Sequence, residues 1–171
     1  ENDKDDHGRS GINCLWPDTS NTDYKGELAK AKAGTDFNNI SPIIKYSLEN
    51  GATVLWMGDL ETDFVEKIKD EVNWPEVDIL FAPHHGRESG KIPNDVLKKL
   101  NPTIIVIGEA PSKYLDYYSG YNTIKQNSAK NIVFKCEAGK VHIFVSDDDY
   151  YESFLNEEYE DDFSLGNYIG S

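Results

Sequence analysis

Asp78-Ile79-Leu80-Phe81-Ala82-Pro83-His84-His85-Gly86 is the stretch that decides how this chain is read. A short apolar run holding β-branched and aromatic residues, stopped by a proline, predicts a buried strand. Two imidazoles and a glycine then stand at its C-terminal lip, where open α/β sheets place their chemistry. One step back along the chain, Thr53-Val54-Leu55-Trp56-Met57 reads as a second buried strand and ends in Gly58-Asp59. A carboxylate and an imidazole at the mouths of two buried strands are oxygen and nitrogen donors of the kind that bind zinc.

The flanking sequence fills in the rest of the sheet. Ile40–Leu48 is predicted to be a strand that turns at Glu49-Asn50-Gly51 and returns as Thr53–Met57, because Asn-Gly favours a tight hairpin. Phe64, Val65, Ile68 and Val72 share one face of a helix spanning Glu61–Val72. Asn73-Trp74-Pro75 ends that helix, since a residue before proline resists the α region. Pro93–Leu100 predicts a short helix and Thr103–Ile107 a strand covered on both faces. Gly11–Trp16 reads as a first strand, Tyr24–Ala33 as a short helix, and Gly108–Ser128 as a tyrosine-rich loop with some helix. Asn131–Cys136 and Val141–Ser146 form a second hairpin. The fold class is therefore α/β with a mixed sheet and flanking helices. The organisation is a charged leader (residues 1–10), a folded region (11–146) and an acidic, aromatic tail (147–171).

Composition narrows the function. The chain has 171 residues, with 31 Asp and Glu against 17 Lys and Arg, for a net charge of −14. Proteins that coat nucleic acid rely on Lys and Arg displacing counterions, so this balance argues against that class. It does not argue against an enzyme that meets nucleic acid at a cleft. No apolar run approaches the roughly 20 residues of a membrane span, and no signal-peptide pattern opens the chain. A soluble, cytoplasmic protein is the expectation. The chain opens on Glu1 and its sole methionine is Met57, which predicts a piece of a longer polypeptide. Cys14 and Cys136, without C-x-x-C spacing, are expected to be reduced, buried thiols.

Four stretches in order carry a resemblance: Asn38-Asn39-Ile40-Ser41, then Trp56-Met57-Gly58-Asp59 with Glu66 following, then Asp78 to Gly86, then Leu100-Asn101-Pro102 before a strand. Together they resemble the C-terminal half of the metallo-β-lactamase-fold hydrolase domain of ComEC-type DNA-uptake competence proteins. The resemblance covers roughly residues 12–145. It implies an αββα sandwich with its metal site along one edge, Asp59 as a metal-bridging carboxylate and His84 as a histidine ligand. His85 would then be the adjacent catalytic or substrate-facing partner. It also implies zinc, or alternatively manganese, as cofactor and phosphodiesters as substrates.

The chain departs from that family at the main metal motif. No His-x-His-x-Asp-His string is present, and the four histidines are His7, His84, His85 and His142. Catalytic zinc normally takes three protein ligands plus water, so the remaining ligands are expected from an N-terminal half of the same domain or from a second chain. Arg87 stands where the family commonly has Ser; Arg87 and Lys91 are the best positive charges near the proposed site, open either to meet a substrate phosphate or to stand as solvated loop charges. His142, mid-strand, reads as solvent-facing, and His7 as solvated. The two helices available for the central sheet cover one face only. The other face is expected to be exposed, or to be buried by a missing half, a second chain or the aromatic tail.

Two functions fit this reading. One is part of a metal-dependent hydrolase acting on nucleic acid or another phosphodiester. The other is a non-catalytic acidic interaction module that keeps the fold and mimics nucleic acid.

Overall fold

In a computed structural model, residues 10–49, 51–108, 116–156 and 163–171 are described. His7, Asn50, Tyr114, the charged leader up to Arg9 and residues 157–162 of the tail lie outside them. The chain forms β1 (Ile12–Trp16), α1 (Thr22–Lys32), β2 (Ile43–Ser47), β3 (Thr53–Trp56), α2 (Thr62–Ile68), β4 (Ile79–Phe81) and α3 (Asn94–Leu100). These are followed by β5 (Ile104–Ile107), β6 (Thr123–Lys125), α4 (Gln126–Ala129), β7 (Ile132–Glu137), β8 (Lys140–Val145) and β9 (Asn167–Gly170).

Strands β1 to β6 lie side by side in chain order in a mixed six-stranded sheet. The β1–β2 and β2–β3 pairs are antiparallel, and the pairs from β3 to β6 are parallel. The hairpin register sets Tyr46 against Val54 and Ile44 against Trp56. The two lip-bearing strands are therefore neighbours, β3 and β4, pointing the same way. That parallel pairing requires a crossover between them, and α2 supplies it.

Alternation along these strands splits the core into two layers. Leu55, Leu80 and Ile105 face Phe64, Val65 and Ile68 of α2 and Val96, Leu97 and Leu100 of α3. Fully burying one such side chain contributes roughly 1.5–3 kcal/mol, so the helix face is the main stabilising layer. On the opposite face, Val54, Ile79 and Val106 pack under Ile132, Phe134 and Val141 of the β7–β8 hairpin. Ile104 and Ile124 pack under Ile143 and Val145, with Ile169 of β9 alongside. The second face is thus covered by a three-stranded antiparallel sheet, β7-β8-β9. The sequence showed the hairpin but not its position, because a half-polar strand looks the same at a sheet edge and on top of a sheet.

Local chemistry sets the ends of the elements. Asn21 Oδ1 accepts the Tyr24 N–H at 3.0 Å, so α1 starts two residues before the predicted Tyr24. α3 stops at Asn101, whose left-handed φ of +42° terminates it. α2 is regular only to Ile68, yet Val72 remains buried because the turn that follows keeps the same apolar face.

Several expectations are corrected. His142 is buried at 7% exposure, because β9 brings the Tyr168 hydroxyl to 3.2 Å from its Nδ1. Cys14 is exposed, because β1 is the outer strand of its sheet, and Cys136 is half-buried; both are free thiols. Within Gly108–Ser128 the strand β6 forms, and within the tail β9 forms. No helix among the described residues is long and apolar enough to cross a membrane.

Candidate active site at the lip of β3 and β4

The C-terminal ends of β3 and β4 deliver the carboxylate and the imidazoles to one place. Their loops are tied together by the His84 N–H, which donates to the Gly58 carbonyl at 2.9 Å. Asp59 and His85 then face each other across 3.8 Å, Oδ1 to Nε2, with both side chains about half exposed (49% and 53%). His84 turns elsewhere: its Nδ1 lies 3.0 Å from the Ser89 hydroxyl. Of the two adjacent histidines, His85 is the one aimed at the carboxylate.

The loop backbone explains that choice. His84, His85 and Gly86 all adopt left-handed conformations, with φ of +49°, +59° and +80°. The first two are uncommon for residues with a side chain and cost of order 1–3 kcal/mol each. This coiled path separates the two rings and sends only the second toward Asp59. Gly108, at the end of β5, permits the approach: a Cβ there would stand 3.2 Å from His85 Nδ1.

Asp59 is held from the other side by the Asn-Asn-x-Ser stretch. Ser41 Oγ accepts the Asp59 backbone N–H at 3.0 Å. Gly58 has φ of +55°, and a Cβ added there would lie 2.6 Å from Ser41 Cβ, so glycine is needed for the two segments to meet. Asn39 Oδ1 accepts the Glu61 N–H at 3.0 Å, and Asn38 Nδ2 donates to Glu61 Oε1 at 3.1 Å. Glu61 is therefore a clamp at the start of α2. Glu66, by contrast, pairs with Lys69 at 2.8 Å on the exposed face of that helix.

A cavity of about 230 Å³ opens beside the pair, lined by Asp59, His85, Trp56, Phe81, Gly108 and Gln126 among others. Lys91 lines a neighbouring cleft with Glu61, Asp63 and Glu88, and its ammonium sits 5.6 Å from the Tyr117 ring centroid. Arg87 is exposed and lies outside both linings. The structure thus brings Asp59 and His85 together, places His84 one residue away on Ser89, and sets Lys91 in the next cleft.

The donor chemistry of the pair suits a divalent ion, since a carboxylate oxygen and an imidazole nitrogen are both common zinc ligands. Among the described residues, no group of three or more His, Cys, Asp or Glu is placed to hold a metal. The pair offers two donors, against the three protein ligands that catalytic zinc normally takes. Ser41, Asn39, Ser89 and Gly108 enter the site only through the fold. The Asn-Asn-x-Ser signal was visible, but the loop it holds was not.

Compared with known proteins, the chain matches no family model and no curated sequence.

Proposed function

We propose that this chain supplies one side of a divalent-metal phosphodiesterase site, within a metallo-β-lactamase-like αββα sandwich related to the ComEC-type competence proteins. The observation that carries this reading is the 3.8 Å approach of Asp59 and His85 from the ends of adjacent parallel strands. The layering of helices, mixed sheet and second sheet supports it, as three of the four layers such a sandwich needs.

Asp59 and His85 are the residues that would hold the ion, with His84 as the neighbouring ligand or hydrogen-bonding partner through Ser89. A bound zinc or manganese ion would supply Lewis acidity and a water of lowered pKa. The chain's own residues do the positioning. Ser41 fixes the Asp59 backbone, and the left-handed loop fixes the His85 ring. Neither of the two cations expected to meet a phosphate lines the cavity beside the pair: Lys91 lies in the next cleft with Glu61, Asp63 and Glu88, and Arg87 lies outside both linings. The remaining ligands come from an N-terminal half of the domain or a second chain, and nucleic acid is the substrate.

Calorimetric titration with zinc and with manganese tests the reading. Weak binding that is lost in both Asp59→Asn and His85→Gln supports it. Binding that survives both substitutions removes it, and an absence of any metal binding favours the acidic interaction module instead.

A further inference from the structure

The cavity beside Asp59 has one wall that metal chemistry leaves unused. Trp56 ends β3, and its indole lies nearly parallel to the Phe81 ring, with centroids 5.1 Å apart and planes 15° apart. Phe81 is braced edge-on by Phe134 of β7, at 6.3 Å and 83°. A ring backed in this way is held in one orientation at little further entropic cost. Trp56 nevertheless keeps 37% of its surface exposed, whereas Trp16 and Trp74 are at 1% and 8%. It shares the cavity lining with Asp59, His85 and the amide-bearing Gln126.

We propose that Trp56 is a stacking platform for one nucleobase of the substrate, with Gln126 beside it to meet the base edge. This inference rests on the phosphodiesterase reading above and specifies which phosphodiester. A flat, immobilised aromatic next to a carboxylate–imidazole pair suits a substrate whose phosphate is joined to a planar ring system, which is a nucleotide. Stacking tolerates any base, because every base has a π-face. The charge of the lining points the same way. Among the described residues the cavity lining carries no Lys or Arg, so counterion release from a phosphate backbone contributes little there. Base stacking then carries the affinity, and binding depends only shallowly on salt.

The test uses the adenine dinucleotide d(ApA) and the same sugar-phosphate backbone without bases, titrated into the chain with no metal added. Trp56 is the one exposed tryptophan of the three, and the part of the emission that is lost in Trp56→Phe is the part that reports on it. Saturable quenching by the dinucleotide and none by the abasic compound is expected. In calorimetry, Trp56→Ala weakens dinucleotide binding about tenfold while Trp56→Phe stays within about threefold. The phenylalanine variant also guards against a loss caused by misfolding. Equal binding of the abasic compound, or unchanged affinity in Trp56→Ala, overturns the proposal. The two readings fail separately. A dinucleotide bound through Trp56 but not cleaved once the missing ligands are supplied upholds the platform and removes the hydrolase. Cleavage with KM unchanged in Trp56→Ala does the reverse.

Discussion

Ser41 and Asp59, 18 positions apart in the chain, are joined by a hydrogen bond from the Asp59 backbone N–H to the Ser41 hydroxyl, 3.0 Å long. It links the entry to β2 with the exit from β3, so the carboxylate is located by the hairpin that precedes it. Ser41→Ala should cost about 1 kcal/mol in denaturant unfolding. It should also loosen Asp59, weakening zinc binding several-fold in calorimetry. Unchanged metal affinity with unchanged stability would show that the bond does not position the carboxylate.

Gly58→Ala tests the same junction from the other side. The added methyl meets Ser41 Cβ at 2.6 Å and is held at φ of +55°, so a loss of roughly 2–3 kcal/mol is expected. The double variant Gly58→Ala, Ser41→Gly removes the clash but not the left-handed strain. Its loss should therefore be smaller than the sum of the two single losses, as a double-mutant cycle by chemical denaturation would read out. Strict additivity counts against the close packing seen here.

The two histidines should separate in function. His85→Gln is expected to abolish metal binding and, with the missing ligands supplied, phosphodiesterase turnover. His84→Gln should leave measurable binding, because its ring is engaged with Ser89 rather than Asp59. Equal loss in the two variants, followed by zinc titration, contradicts the assignment of the facing ring to His85.

Tyr118 gives a prediction in pH. Its hydroxyl is buried and accepts the Ile92 N–H at 3.4 Å; burial pushes its pKa from 10.0 up to about 12. The folded state favours the protonated phenol. Its stabilising contribution is therefore complete below pH 10 and is lost as pH rises from 10 through about 12. The loss amounts to roughly 2–3 kcal/mol. Tyr118→Phe should be less stable at pH 7 by about 1 kcal/mol, yet show a shallower alkaline decline in thermal midpoint. A decline as steep as wild type places its origin elsewhere.

The β9 strand forms one edge of the second sheet. Phe144 is fully buried, with the Tyr168 ring 5.2 Å away, and Ile169 joins the cluster of Ile143 and Val145. Removing residues 163–171 should lower the thermal midpoint and raise binding of a hydrophobic dye. A truncated chain as stable and dye-silent as the whole would show that these residues only decorate the surface.

The sequence made the parallel centre of the sheet legible because its apolar runs are continuous. Ile104–Ile107 has no polar residue to confuse the pattern, and all four residues are buried. Thr123–Lys125 is not legible as a strand, because three residues with one apolar side chain carry no period. Asn167–Gly170 was hidden by its acidic surroundings. In the site, Asp59 and the His-His-Gly loop could be read from their position after buried strands. Which ring faces the carboxylate could not, since it depends on φ at His84 and His85 rather than on residue type. The Ser41–Asp59 and Asn39–Glu61 contacts span 18 and 22 positions. Composition and local periodicity say nothing about such distances.

The left-handed run at His84-His85-Gly86 bears on how this loop can change over generations. Gly enters that backbone region at no steric cost, and Asn enters it more readily than most residues because its short side chain hydrogen-bonds locally. Replacing either histidine by Asn or Gly therefore relieves strain at the same moment that it removes an imidazole. Mutational drift and selection for stability push these two positions the same way, away from histidine. Homologues that have given up the chemistry should show Asn or Gly there before they show changes in the buried strands. Those that retain both imidazoles despite the strain mark the lineages in which the loop is still under selection for what its rings do.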